Sequence, residues 1–115
     1  MPYKRGDVVL VLFPDSNLRT AKRRPALVIQ ADKLNTGLRQ TVVAMISSNM
    51  SRAAHPSRVR LLLDSPEGRH AHILMDSVVM TDNLATVHEN EIDRRLGSLN
   101  DMTEVEAALR CTLSL

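Results

Sequence analysis

Three short stretches, Asp7–Phe13, Pro25–Gln30 and Thr41–Ser47, are almost continuous in aliphatic and β-branched residues. A run of this length without polar alternation suits a strand buried on both faces. Three of them at the start of the chain dictate a sheet with covered faces. Pro14 ends the first, and Pro25 opens the second, where a strand tolerates proline. Between them Asp15–Arg23 reads as a polar, basic loop. Asn35-Thr36-Gly37 marks a turn in Ala31–Arg39, and Ser48–Ser57, with Pro56, reads as a loop. Arg58–Leu63 is predicted as a fourth strand. Asp64–Gly68 has turn chemistry and should form a hairpin with His72–Thr81, which runs on towards Val87 with a bend near Asn83.

The period then changes. Met102, Val105, Leu109 and Leu113, with Ala108 beside them, form the stripe of an amphipathic helix. Asp101 and Glu104 fit an N-terminal capping pair. A shorter helix over Glu91–Leu96 should stop at Gly97. No repeat or linker interrupts residues 1–115, so a single domain is expected. Strands first and a packed helix last predict a mainly β, α+β fold: a small barrel-like sheet with a C-terminal helix laid on it.

Composition narrows the function. Hydrophobic residues make up 43% of the chain and charged ones 24%, which excludes a disordered tail or a fibre. No apolar run approaches the ~18–20 residues of a membrane helix. Met1-Pro2-Tyr3-Lys4-Arg5 leads into the first strand without a signal-peptide core, so a cytoplasmic protein with no membrane partner is expected. Cys111 stands alone, which excludes an intramolecular disulfide and a multi-cysteine zinc site. Tyr3 and Phe13 are the only aromatics. Single-stranded nucleic acid would therefore be held by charge and hydrogen bonds rather than by stacking.

The formal charge of +2 hides a polarity. Residues 16–63 carry nine cations (Arg19, Lys22, Arg23, Arg24, Lys33, Arg39, Arg52, Arg58 and Arg60) against Asp32 alone, a net of +8. Residues 64–115 carry four arginines against ten acids, a net of −6. This division fits a basic face for a polyanion or an acidic partner, and equally charges that solvate whichever surface they reach.

Recognisable catalytic patterns are few. His70 and His72 would share a face if a strand ran through both, but surface placement accounts for two histidines without a third ligand, so no metal and no cofactor is expected. A Gly-Xaa-Ser-Xaa-Gly elbow and a phosphate-cradling glycine loop are both missing. Lys22-Arg23-Arg24-Pro25 sets three cations against a buried strand, and a guanidinium held there offers a planar fork of donors to phosphate. On its own the segment fits a solvated basic turn as well.

Taken in order, Arg5-Gly6-Asp7-Val8-Val9, Lys22-Arg23-Arg24-Pro25-Ala26-Leu27-Val28-Ile29, Ile46-Ser47-Ser48, Ser77-Val78-Val79 and Asp82-Asn83-Leu84-Ala85-Thr86-Val87, closing with Ile92 to Leu99, resemble the MazF/PemK (Kid) toxins of bacterial toxin–antitoxin systems. The resemblance spans nearly the whole chain. It implies an SH3-like barrel with helices outside (the fold shared with CcdB-like toxins), homodimers, and metal-independent, sequence-specific cleavage of single-stranded RNA to 2′,3′-cyclic phosphate and 5′-hydroxyl ends. It also implies a cognate acidic antitoxin as partner.

Carried over by position, the resemblance assigns Arg24 to transition-state stabilisation, Ser47 to phosphate positioning and Asp82 to proton acceptance. Ser16, Asn17, Arg19, Lys22, Arg23 and Ser48 are the implied RNA-binding residues. Read as plain structure, Ser47 is a strand-end cap and Asp82 a turn residue. Pro14 to Ala21 departs from the glycine-containing first loop of many members, and Phe13-Pro14 with Lys22 to Pro25 matches a different branch. Met80 and Ala85 stand where arginines are frequent. Two other classes share the resemblance. One is a topoisomerase poison of the same fold, although the chain ends Thr112-Leu113-Ser114-Leu115 without the aromatic tail of that class. The other is a catalytically degraded barrel that only binds RNA or antitoxin.

Overall fold

A computed structural model describes every residue except Asp15, Ser16 and Leu18. Its strands are β1 (Asp7–Pro14), β2 (Ala21–Val28), β3 (Gln40–Ser47), β4 (Arg58–Leu61), β5 (Ser77–His88) and β6 (Ile92–Ser98). They form one sheet in the order β4-β5-β3-β2-β1-β6, each neighbour antiparallel. Helix α1 (Pro66–Ala71) connects β4 to β5, and α2 (Thr103–Leu113) follows β6.

The expectation of strands covered on both faces holds for the start of β1, where Val8 and Val9 are fully buried; further on, Val11 and Phe13 stay buried while Leu10 is partly buried and Leu12 exposed on the other face. β1 is hydrogen-bonded to β2 on one side and β6 on the other. Val8 joins Leu27, Ala44 and Ile46 in a core against Val105 and Ala108 of α2. Val9 and Val11 join Phe13, Ala26, Val28 and Val43 in a second. Each buried aliphatic side chain of this size contributes about 1.5–3 kcal/mol. Of the predicted stripe of α2, Met102, Val105, Ala108 and Leu109 face the first core and Leu113 is exposed. The expected Asp101–Glu104 capping pair does not form: Met102 is the N-cap, without a side-chain cap bond, and the Asp101 carboxylate accepts the Thr103 N–H at 3.0 Å.

Four sequence expectations need correction. The sheet is open rather than a closed barrel, with β4 and β6 as its edges. Helix α1, on the chain expected to be a plain turn, packs against β6. Its start is well specified: the Ser65 hydroxyl accepts the Gly68 N–H at 3.0 Å and Pro66 occupies the first turn, where its missing N–H costs nothing. His72 therefore follows a helix instead of sharing a strand face with His70. Ile92–Ser98 is a strand, not a helix, because its backbone completes the open edge of β1. β2 begins four residues before Pro25, since Lys22, Arg23 and Arg24 pair with Phe13, Leu12 and Val11. The predicted bend in β5 is real: its register against β3 shifts between Leu84 and Met80, leaving Thr81 to Asn83 as a bulge.

Candidate functional site

β2 and β3 are paired as Ala26↔Met45, Leu27↔Ala44 and Val28↔Val43. Extended two residues, that register sets Arg24 opposite Ser47. Both are half-buried where the strands leave the sheet. They line a groove of about 640 Å³, together with Ser48 and Asn49 after β3 and Arg52 from the 3₁₀ turn Met50–Arg52. The opposite wall is the segment His72–Met75 after α1, and Arg94 and Leu96 of β6 complete it, with Val8 and Leu10 of β1.

Local hydrogen bonds stiffen the β3 side. The Ser47 hydroxyl accepts the Asn49 N–H at 3.1 Å. The Asn49 side chain in turn accepts the Ser51 N–H and hydroxyl at 3.2 and 2.6 Å, capping the 3₁₀ turn that carries Arg52. The groove thus holds three guanidiniums, three serines (Ser47, Ser48 and Ser77) and an amide beside an apolar wall of Ile73, Leu74 and Met75. No carboxylate lines it among the described residues. Fixed cations and hydroxyl donors of this kind suit a phosphodiester whose negative charge grows during reaction.

The structure thus brings together Arg24, Ser47 and Ser48. Lys22 and Arg23 lie just before Arg24 on β2, exposed and outside the groove lining. Asn17 and Arg19 are exposed in the preceding loop, where the Asn17 side chain accepts the Arg19 N–H at 2.9 Å. Ser16 lies outside the described residues.

Asp82 is not brought to the groove. It sits in the β5 bulge and receives both Nε and a terminal nitrogen of Arg58, at 3.2 and 2.7 Å. That paired guanidinium holds the Asp82 carboxyl below its ordinary range, which weakens it as a proton acceptor. Arg58 also donates to the Arg52 carbonyl, so the pair ties the bulge to the 3₁₀ turn. Sequence reasoning missed Arg52, His72 and Arg94 as groove residues. They come from three distant segments, and nothing local in the sequence joins them.

A second concavity, about 460 Å³, lies between the N-terminus and residues 30–41. It lacks the arginines of the β2–β3 end, and its own Arg39 is paired with Glu89 at 2.7 Å. Among the described residues, no group of three or more histidine, cysteine or acidic side chains is arranged to hold a metal, and no helix is long and apolar enough to cross a membrane.

Residues 4–113 match the family described as PemK-like, MazF-like toxin of type II toxin-antitoxin system. The chain is 36% identical over 107 residues to the endoribonuclease MazF2 of Mycobacterium bovis, covering 90% of each. Among solved structures, a mycobacterial endoribonuclease in complex with its cognate antitoxin superposes with a TM-score of 0.73 at 22% identity, over 98% of this chain and 96% of that one. The MazE–MazF structure of Deinococcus radiodurans (Form-III) gives 0.72 at 19% identity, over 100% and 99%. These two show the shared fold.

Proposed function

Since the chain belongs to the PemK-like, MazF-like toxins of type II toxin–antitoxin systems, we propose that it is an endoribonuclease that cuts single-stranded RNA in the groove between Arg24, Ser47, Arg52 and Arg94. The observation that carries this reading is that Arg24 and Ser47 line one groove with two further arginines, Arg52 and Arg94. Attack of a ribose 2′-oxygen on the adjacent phosphorus loads negative charge onto the phosphoryl oxygens. Arg24, half-buried on a paired strand, stabilises that charge from a fixed position. An arginine stays protonated at neutral pH and so serves as a donor, not a base. The Ser47 hydroxyl orients the phosphate. Arg52 and Arg94 hold the flanking phosphates, and Ser48 and Asn49 offer hydrogen bonds at the rim.

The three arginines of the groove supply the positive charge that the phosphate needs, so cleavage is expected to proceed in EDTA and to leave a 2′,3′-cyclic phosphate and a 5′-hydroxyl. Incubating a mixed RNA with the protein and EDTA, then assigning the ends chemically, tests this. Ends carrying 5′-phosphates, or cutting that requires added divalent ions, would overturn it.

The neighbour solved with its cognate antitoxin supports an antitoxin as partner, and the net charge of +8 over residues 16–63 suits an acidic one. Its tail competes with RNA for Arg19, Lys22, Arg23 and Arg24, since a disordered acidic segment folds readily along a basic strand edge. The working form is a homodimer in the cytoplasm, as the family resemblance implies.

A further inference from the structure

The groove is rich in proton donors, yet phosphodiester transfer also needs a group that accepts the 2′-hydroxyl proton. Its described lining consists of aliphatic residues, a methionine, Pro25, serines, Asn49, three arginines and one histidine, His72. Guanidiniums cannot accept a proton at neutral pH, and neither amide nor hydroxyl is basic enough. Asp82, the acceptor carried over from the resemblance, is bound bidentately by Arg58 outside the groove.

We propose that His72 is the general base of this chain. The assignment rests on the endoribonuclease reading and adds to it the residue that moves the proton. The backbone places His72 deliberately. It caps α1 in the left-handed region (φ 56°, ψ 38°), a conformation that a non-glycine residue adopts at a cost of about 1–2 kcal/mol. Its N–H bonds the Arg69 carbonyl at 3.2 Å, and its neighbours Ala71 and Ile73 are buried. The imidazole itself is exposed, with no hydrogen bond to any described residue. A fixed backbone and an open ring are what a proton acceptor for an incoming substrate requires.

In the step, the neutral imidazole takes the 2′-hydroxyl proton as the 2′-oxygen forms its bond to phosphorus. The bond from phosphorus to the 5′-oxygen breaks, and that oxygen is protonated by water. The products are a 2′,3′-cyclic phosphate and a 5′-hydroxyl, and the imidazolium returns its proton to solvent. The charged groups that share the groove lining with His72 are Arg24 from β2, Arg52 from the 3₁₀ turn and Arg94 from β6. On its own helix, Arg69 lies 3.4 Å from Asp64, and His70 bonds Asn100 at 3.0 Å.

His72→Asn keeps a residue that tolerates the left-handed backbone and cannot accept a proton. Single-turnover cleavage of an RNA oligonucleotide should fall at least ~10²-fold in this variant. The wild-type rate should rise with pH as the base loses its proton, and this limb should vanish in the variant. Binding of the same oligonucleotide with a 2′-deoxy scissile residue should be unchanged, and added imidazole should restore part of the rate to His72→Ala. An active wild type whose rate and pH profile are matched by His72→Asn overturns the assignment and leaves the endoribonuclease reading intact. A wild type that leaves all RNA intact overturns both.

Discussion

Gly97→Ala should loosen the wall of the groove without touching a groove residue. A Cβ at this position would lie 2.5 Å from the His70 carbonyl oxygen and 2.6 Å from the Ala71 carbonyl carbon, both backbone atoms of α1. Ordinary contact needs about 3.5 Å, so α1 must retreat from β6 by about 1 Å. Overpacking of this kind costs about 1–3 kcal/mol. For a domain near this size that lowers Tm by roughly 4–20 °C. The retreat also carries away His72, the residue that ends α1, so cleavage should fall along with stability. Gly37→Ala is the control. Its Cβ would meet nothing within 4 Å, and its φ of +78° costs about 1 kcal/mol in backbone strain alone. Thermal unfolding and single-turnover cleavage of both variants test the argument. If Gly97→Ala melts within about 2 °C of the wild type, less than the shift for 1 kcal/mol, the close approach of α1 to β6 is wrong.

Leu27→Ala, at a fully buried position between β1 and β3, should cost about 2–5 kcal/mol in denaturant unfolding. Asp82→Asn should cut RNA at close to the wild-type rate, because the carboxylate serves as a tether for Arg58; a loss comparable to that of His72→Asn would restore it as the base. The folded-state pKa of Asp82 is lowered, so the pair's stabilisation is present above the unfolded value near ~3.9 and lost as pH falls through the folded one. The Tm difference between wild type and Asp82→Asn should accordingly shrink in acid, as measured by melting from pH 7 downwards. Reversing Lys22 and Arg23 to Glu should weaken both RNA and antitoxin binding, and raised salt should weaken each in the wild type; full antitoxin affinity in the double variant would separate the two sites.

The strands that build the core were legible because burial on both faces leaves an uninterrupted apolar run, as in Val8–Phe13. The edges were not. Ile92–Ser98 has isolated apolar positions at Ile92 and Leu96 that fit helical spacing, and only the open edge of β1 makes it a strand. Gly68 made Asp64–Gly68 look like a turn, yet it sits inside α1 because the Leu62 carbonyl oxygen lies 1.9 Å from where its Cβ would be. Lys22 and Arg23 looked like loop because charge is rare inside strands, whereas here they pair with β1 and stay exposed.

At the site, Arg24, Ser47 and Ser48 were assigned through the family resemblance, and the structure sets all three on the lining of one groove. His72 was weighed only as a metal ligand beside His70, and Arg52 and Arg94 only as charge. Their meeting depends on α1 packing against β6 and on the 3₁₀ turn packing against β5, contacts between segments that sequence spacing does not encode.

The groove around Arg24 as the seat of RNA cleavage is tested most directly by the single-turnover rate of wild type and Arg24→Ala on one RNA in EDTA, with Tm recorded for each. Removing a fixed transition-state donor should slow cleavage at least ~10²-fold in a variant whose Tm shows that it remains folded at the assay temperature. An Arg24→Ala protein that cuts as fast as the wild type would contradict the account and place the chemistry elsewhere on the molecule.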